Sequence, residues 1–155
     1  MMSSLFDLTF VLAAPFWALM ILAPGWSWTR RILSSPVVFA PPALLYLGIA
    51  VPRLAEVLPA VASPSLTGLQ ELMAEPGAAT LVWAHIIAFD LFVGRWMYLE
   101  SRERGVHPLV MAPLLVLTIL LAPIGALIWL VIRSAAGRSR AGREPALAAS
   151  GPSAR

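Results

Sequence analysis

Cysteine and lysine are both absent from this chain of 155 residues. Without cysteine the protein forms no disulfide, no thiolate metal site and no cysteine nucleophile. Without lysine it forms no Schiff base with a substrate. Charge of either sign is also scarce, because charged residues make up 12% of the chain whereas soluble domains carry about 25%. These absences exclude thiol and Schiff-base chemistry and argue against a water-soluble protein.

Apolar residues dominate what remains. They make up 59% of the chain, and the mean hydropathy is +0.83. A water-soluble domain of this length could not cover so much apolar surface, so lipid must solvate much of it. The isoelectric point is near 10.6, but the arginines stand beside hydrophobic runs, where such residues anchor helix ends at the membrane boundary. We therefore expect no nucleic-acid partner.

Four hydrophobic runs are long enough to cross a bilayer, which takes about 20 apolar residues in a helix. They cover about residues 5–24, 37–58, 78–99 and 108–132. We therefore predict an all-α polytopic membrane protein, with four transmembrane helices in a bundle forming one domain over residues 1–133. The tail, residues 134–155, is rich in Arg, Ala, Ser and Gly, and is predicted to be disordered.

The connections carry their own signals. Leu66, Leu69, Leu72 and Met73 recur at helical spacing between the second and third runs, which predicts a short amphipathic helix on the membrane surface. The first run contains Asp7 and has no basic residue before it. We interpret it as a retained span, because a signal peptide has a basic start and a shorter apolar stretch.

Arginine positions do not settle the orientation if four spans cross. One side would then hold Arg30, Arg31, Arg102 and Arg104, and the other would hold Arg133 with the arginines of the tail. These counts are nearly equal, so the positive-inside rule decides little. The first run has basic residues only after it, which favours an N-terminus outside the cell.

The third run carries the polar residues. His85, Asp90 and Arg95 lie in one hydrophobic helix, and a lone charge at the position of Asp90 costs at least ~3 kcal/mol in a bilayer. Asp90 should therefore face the protein interior and have a partner. His85 and Asp90 lie about 140° apart around the helix axis, which directs them to different neighbours. One stripe of the helix is formed by His85, Phe89, Phe92 and Trp96.

The turn between the third and fourth runs sets a register. If these runs are antiparallel, Glu100 faces His107, and His85 lies level with Ala122, beside Pro123. The two histidines are then about 20 Å apart in depth, too far to share one ion. The sequence therefore predicts no metal site.

Each polar residue also has a purely structural interpretation. Asp90 would tie two spans together through Arg53 on the second run. Arg95 would anchor the helix at the interface by extending its side chain to water. Glu100 and His107 would form a helix-capping pair at the turn. The aromatic stripe would then be ordinary helix packing.

Several blocks of the sequence point to one family. Trp83-Ala84-His85, followed by Ala-Phe-Asp-Leu-Phe-Val-Gly-Arg-Trp over residues 88–96, resembles the central motif of the neoxanthin-synthase-like, or abscisic-acid-deficient-four-like, family of plants, cyanobacteria and other bacteria. This integral membrane family was formerly a domain of unknown function. Blocks at residues 15–21, 28–31 and 121–125 also resemble it, so the resemblance covers about residues 5 to 133. The chain departs from the family pattern at Ala122, where the family has glycine, and at Ile86, where an aromatic residue is common.

The resemblance implies a carotenoid-related role. We expect the protein in a bacterial cytoplasmic membrane. Plant members are required to form neoxanthin from violaxanthin, an epoxide opening that needs no redox cofactor. For this chain the resemblance implies a cofactor-independent carotenoid isomerase. Its catalytic residues would be Asp90 as the acid, His85 as the base, and Arg95. Expected substrate-binding residues are Trp83, Phe89, Phe92, Trp96, Pro123 and Gly125, supported by Arg53, Glu100 and His107.

Two other functions stay open at this point. The first is a non-catalytic carotenoid- or lipid-binding subunit or assembly factor. The second is an ion conduit, which would need more ionisable residues in the other runs than the chain offers. The expected partners are membrane lipid and a carotenoid or related isoprenoid, and a homo-oligomer is left open.

Overall fold

The computed structural model describes the backbone of residues 2–149 and the side chains of residues 2–135. This part of the chain is helical and contains no strand. The helices are α1 (Met2–Leu22), α2 (Ser27–Ser34), α3 (Ala40–Ala50), α4 (Leu54–Ala62), α5 (Leu66–Ala74), α6 (Pro76–Glu103), α7 (Pro108–Leu120) and α8 (Ala122–Ala149). Short 3-10 turns, Pro36–Phe39 and Val51–Arg53, precede α3 and α4.

Three helical segments in the described part are long and apolar enough to cross a bilayer. They are Met2–Leu22, Pro36–Ala62 and Pro76–Glu103, and they match the first three predicted runs. The middle segment contains α3 and α4, joined through the 3-10 turn at Pro52. Helix α5 lies where the amphipathic surface helix is predicted. The chain is therefore an all-helical protein with the segments of an integral membrane protein.

The predicted fourth span is not formed as one helix. Helix α7 ends at Leu120, and Leu121 leaves the helical conformation with φ −147° and ψ 68°. Pro123 explains the break, because it has no N–H with which to continue the hydrogen-bond ladder of α7. In the first turn of α8 that missing donor costs nothing. Hydropathy alone could not reveal this, since the run is apolar on both sides of Leu121.

Contacts at Glu100 show where α8 goes after the break. The indole N–H of Trp129 donates to the Glu100 carboxylate at 3.0 Å, and the Arg133 guanidinium pairs with that carboxylate at 3.2 Å. Arg104 donates to the Arg133 carbonyl oxygen at 3.4 Å. Because Glu100 and Arg104 lie just before α7 in the chain, α8 returns to the level at which α7 began.

Helices α7 and α8 therefore form a hairpin that enters beside the end of α6 and returns, which we call the re-entrant hairpin. A helix as long as α7 spans about 20 Å, short of a bilayer core of ~30 Å. The two helices of the re-entrant hairpin are in close contact at Gly125, where an added Cβ would overlap the Thr118 side chain. A four-span bundle is thus not confirmed, because the fourth run turns back.

Helices α1 and α6 run in parallel and form the centre of the fold. The Phe6 ring stacks on Trp83 near the start of both helices, with centroids 5.2 Å apart. Farther along, a Cβ added at Gly94 would overlap the Trp17 ring, so only glycine lets α1 approach so closely. The Tyr98 hydroxyl donates to the Pro24 carbonyl oxygen at 2.9 Å and ties α6 to the end of α1.

The tail was predicted to be disordered over residues 134–155. Helix α8 continues to Ala149, through a stretch that contains the helix-favouring residues Ala, Arg and Glu, and the disorder predicted for the tail stays a prediction. Residues 150–155 lie outside the described part of the chain, and so do the side chains beyond residue 135.

Single cysteines introduced into this cysteine-free chain should distinguish a re-entrant hairpin from a fourth span. Ser27, Ser63 and Ser134 are exposed and lie after α1, after α4 and near the middle of α8. In sealed vesicles, a membrane-impermeant maleimide should label Ser27→Cys and Ser134→Cys from the same side, and Ser63→Cys from the other. Labelling of Ser134→Cys together with Ser63→Cys would mean that the fourth run crosses the bilayer.

Candidate functional site

A mostly apolar cleft lies between α6 and the break of the re-entrant hairpin. We call it the hairpin cleft, and its volume is about 420 Å³. His85 and Asp90 both border it, on a surface that is otherwise apolar. The lining residues are His85, Ile86, Phe89, Asp90, Leu120, Leu121, Ala122 and Pro123. This agrees with the predicted register, which placed His85 level with Ala122 and beside Pro123.

A second cleft, the α3 cleft, lies on the other side of Phe89, between α3 and α6. Its volume is about 350 Å³, and its walls are entirely apolar. The lining residues are Phe39, Ala43, Ala88, Phe89 and Phe92. The Phe39 and Phe92 rings contact one another with centroids 5.4 Å apart. Because Phe89 lines both clefts, they flank one stripe of α6 that faces outward.

His85 lies among aromatic rings. Its imidazole stacks on Phe89 with centroids 4.8 Å apart, and the Tyr46 ring lies 5.6 Å away, tilted by 54°. Within the described residues His85 makes no hydrogen bond. Its ring nitrogens are therefore available to a ligand in the hairpin cleft, while the neighbouring rings fix the position of the imidazole.

Asp90 is half-buried and makes no hydrogen bond or ion pair within residues 2–135. The predicted partner, Arg53, lies elsewhere: a Cβ added at Gly77 would overlap its guanidinium, and it lines a polar cleft with Glu56 and Glu75. Asp90 is therefore not tied to the second span through Arg53. A carboxyl without a protein partner is expensive in an apolar place, and such a group is a candidate for chemistry rather than packing.

The hairpin cleft brings together two residues that the helical wheel assigned to different neighbours. His85 and Asp90 are separated by about 140° around α6. The tip of the re-entrant hairpin, Leu120 to Pro123, lies across the face between them and reaches both. A straight fourth span would have presented one narrow ridge to α6. The break at Leu121 instead presents a turn broad enough to cover both edges.

Arg95 and Trp96, predicted as catalytic and substrate-binding residues, contact α2 and α8 instead of a cleft. The Arg95 guanidinium donates to the carbonyl oxygens of Leu33 and Ser34, the latter at 3.0 Å, and so binds the C-terminal end of α2. The Trp96 ring lies 5.5 Å from the Arg133 guanidinium. Both side chains lie outside the two clefts.

Trp83 and Gly125 also lie outside them. Trp83 stacks on Phe6, and Gly125 is buried against Thr118 inside the re-entrant hairpin. Pro123 does line the hairpin cleft. Of the predicted substrate-binding residues, the structure brings together Phe89, Phe92 and Pro123 around the two clefts.

The predicted supporting residues at the turn act separately. The Glu100 carboxylate accepts hydrogen bonds from Arg104 at 2.7 Å and from the buried Trp129 at 3.0 Å, and it also pairs with Arg133. His107 is not among its partners. The His107 Nδ1 atom instead accepts from the Leu109 N–H at 3.2 Å and caps α7. Glu100 thus fastens the re-entrant hairpin to α6, and His107 starts its first helix.

The family model described as ABA DEFICIENT 4-like matches residues 4–129. This chain belongs to the ABA DEFICIENT 4-like family. The matched residues include both clefts and the Glu100–Trp129 contact, so the predicted resemblance is confirmed. The family is related to carotenoid and xanthophyll (neoxanthin) biosynthesis. No curated protein and no solved structure matches this chain.

Sequence reasoning missed three features of this ABA DEFICIENT 4-like protein. Tyr46 on α3 contacts His85, but the sequence around Tyr46 indicates only a hydrophobic span. Leu121 marks the turn of the re-entrant hairpin, for which Pro123 two residues later was the available signal. Trp129 meets Glu100 across 29 residues of chain, and nothing local to either residue predicts that contact.

Proposed function

We propose that this ABA DEFICIENT 4-like protein binds a carotenoid or related isoprenoid along α6 and isomerises it without a cofactor. One observation carries the proposal: His85 and Asp90 border the same apolar cleft, which adjoins the Phe-lined α3 cleft at Phe89. The first cleft offers a proton donor and a proton acceptor, and the second offers apolar walls.

The two clefts suit an elongated, lipid-soluble ligand. His85, Phe89 and Phe92 are exposed on the outer face of α6, so a ligand dissolved in the bilayer can enter from the side. Aromatic rings pack favourably on the flat faces of a conjugated chain. Apolar walls with a few polar groups are the usual composition of small-molecule sites. A ligand would thus place its polyene beside Phe89 and Phe92 and an oxygenated end ring beside His85 and Asp90.

Epoxide opening uses the two polar residues in complementary roles. Protonated Asp90 transfers its proton to the epoxide oxygen as the carbon–oxygen bond breaks, and that oxygen becomes a hydroxyl. Neutral His85 removes a proton from a carbon of the conjugated chain, and the electron pair of that carbon–hydrogen bond forms the new double bond. Transfer of the proton from His85 back to Asp90 restores both groups. Atoms and electrons balance, so the product is an isomer of the substrate.

A second candidate is a non-catalytic carotenoid- or lipid-binding subunit or assembly factor. The α3 cleft favours it, because its walls are entirely apolar and offer binding without chemistry. Binding alone would require Phe89 and Phe92, whereas isomerisation also requires His85 and Asp90. The two candidates therefore differ in which substitutions abolish the function.

A conversion assay tests catalysis directly. Membranes containing the protein would be incubated with an epoxide-bearing carotenoid and extracted for chromatography. An isomerase should generate a product of unchanged mass with a shifted absorption spectrum, and membranes lacking the protein should not. Stable retention of unconverted carotenoid by the purified protein would instead support the binding subunit.

The hairpin also bears on orientation. Arg30, Arg31, Arg102, Arg104 and Arg133 gather at the end of the fold where α6 terminates, whereas Arg53 lies toward the other end. By the positive-inside rule the arginine-rich end faces the cytoplasm, with the N-terminus outside. We propose that the protein resides in this orientation in a bacterial cytoplasmic membrane.

A further inference from the structure

A polar cleft lies where the end of α1, helix α2 and the end of α6 meet. We call it the arginine cleft, and its volume is about 590 Å³. It lies apart from the hairpin cleft and the α3 cleft and shares no lining residue with either. The lining residues are Pro24, Gly25, Trp26, Ser27, Arg30, Arg31, Ser34, Tyr98 and Arg102.

The arginine cleft carries positive charge without acidic residues to balance it. Arg30, Arg31 and Arg102 line it, and the lining contains no Asp or Glu. Among the described residues, none of these three arginines forms an ion pair. Arg104 and Arg133, by contrast, are both paired with Glu100. The cleft therefore gathers cations for which the described protein supplies no counterion.

Hydrogen bonds hold the walls of the cleft in place. The Thr29 hydroxyl donates to the Ala23 carbonyl oxygen at 2.8 Å and fastens α2 to the end of α1. The Tyr98 hydroxyl donates to the Pro24 carbonyl oxygen at 2.9 Å. Both side chains are almost fully buried. Arg95 holds the C-terminal end of α2 by donating to the Ser34 carbonyl oxygen at 3.0 Å. The backbone that carries the arginines of the cleft is therefore held in position at both ends of α2.

The position of the cleft indicates where its ligand comes from. Trp26 and Trp28 are about half exposed and follow the Pro24-Gly25 end of the first span. Exposed tryptophans beside arginines mark the headgroup level of a bilayer. Guanidinium groups bind phosphate oxygens in a bidentate manner. A negatively charged phosphate at that depth thus fits both the charge and the location of the cleft.

We infer that the arginine cleft binds the phosphate headgroup of an anionic phospholipid. The inference is independent of the proposed isomerase function, because no residue is shared between the two sites. Each basic residue near a membrane surface strengthens attraction to anionic lipid about fivefold. Removal of two arginines from the cleft should therefore weaken the preference for anionic lipid by more than about tenfold.

Titration of the purified full-length protein with short-chain lipids, followed by native mass spectrometry, tests this inference. Phosphatidylglycerol should bind at least about tenfold more tightly than phosphatidylcholine. Arg30→Gln combined with Arg102→Gln should reduce that preference to about twofold or less, whereas Arg30→Lys with Arg102→Lys should keep most of it. Arg53→Gln removes a positive charge far from the cleft and should leave the preference unchanged.

Equal binding of the two lipids by the folded wild-type protein would overturn the inference without reference to any variant. A double Gln variant that keeps the wild-type preference would also overturn it. A competition experiment with inorganic phosphate distinguishes a lipid headgroup from a soluble phosphate. If it displaces phosphatidylglycerol at equal concentration, the site belongs to a soluble phosphate compound, and the assignment to lipid is wrong.

Discussion

Replacement of Asp90 by Asn is expected to abolish carotenoid conversion while leaving the protein folded. Asparagine has nearly the same shape as aspartate but cannot donate the acidic proton that opens an epoxide. Proton transfer by a positioned side chain contributes about 10²–10⁴-fold to a rate, so the loss should reach at least about 100-fold. Folding should survive, because Asp90 has no hydrogen bond or ion pair among the described residues to lose.

Asp7→Asn is the matched control for this experiment. Asp7 is the other aspartate of the chain and is exposed on α1, so the same chemical change is made outside the cleft. Both variants would be compared with wild type by product formation and by the temperature of unfolding in detergent. If Asp90→Asn retains full conversion, Asp90 is not the acid. If it unfolds while Asp7→Asn does not, its role is structural.

Replacement of Ala88 by Phe is expected to displace the polyene from the α3 cleft. Ala88 is half-buried and lies between Phe39, Phe89 and Phe92, so an added ring occupies the space proposed for the ligand. The surrounding helices should tolerate the change, because the ring fills an existing cleft rather than a packed core. Visible absorbance of the purified protein should fall at least about tenfold, since the ligand loses most of its contact surface.

Leu44→Phe is the control for ring insertion. Leu44 follows Ala43 on α3 but is 66% exposed and does not line the cleft. Its variant should retain the wild-type absorbance. Unchanged absorbance in Ala88→Phe would place the ligand elsewhere. Misfolding of Ala88→Phe would indicate that the cleft closes by ordinary helix packing, as the structural interpretation of the aromatic stripe predicts.

The first three spans could be predicted from hydropathy because length and apolar composition determine them. The re-entrant hairpin could not. Residues 108–132 are apolar throughout, and a window average cannot distinguish one crossing from an entry and a return. Whether the run crosses or returns depends on Pro123 and on the contacts of Glu100 with Trp129 and Arg133. Those contacts join residues that are far apart in the chain.

The candidate site was predictable in its residue types but not in its arrangement. A histidine and an aspartate within a hydrophobic span indicate function, because burying an ionisable side chain in a bilayer costs free energy. Their shared cleft depends on the hairpin tip, which a helical wheel of α6 does not contain. The wheel also placed Trp96 with Phe89 and Phe92, whereas Trp96 contacts Arg133, because the middle of α8 packs against α6 at that level.

We propose that the clefts beside Phe89 hold a carotenoid-like ligand. The most direct measurement is a visible absorption spectrum of the wild-type protein, purified in mild detergent from a carotenoid-producing host. We predict the banded absorption of a polyene that stays with the folded protein through size-exclusion chromatography. A folded protein without visible absorbance under those conditions would contradict it.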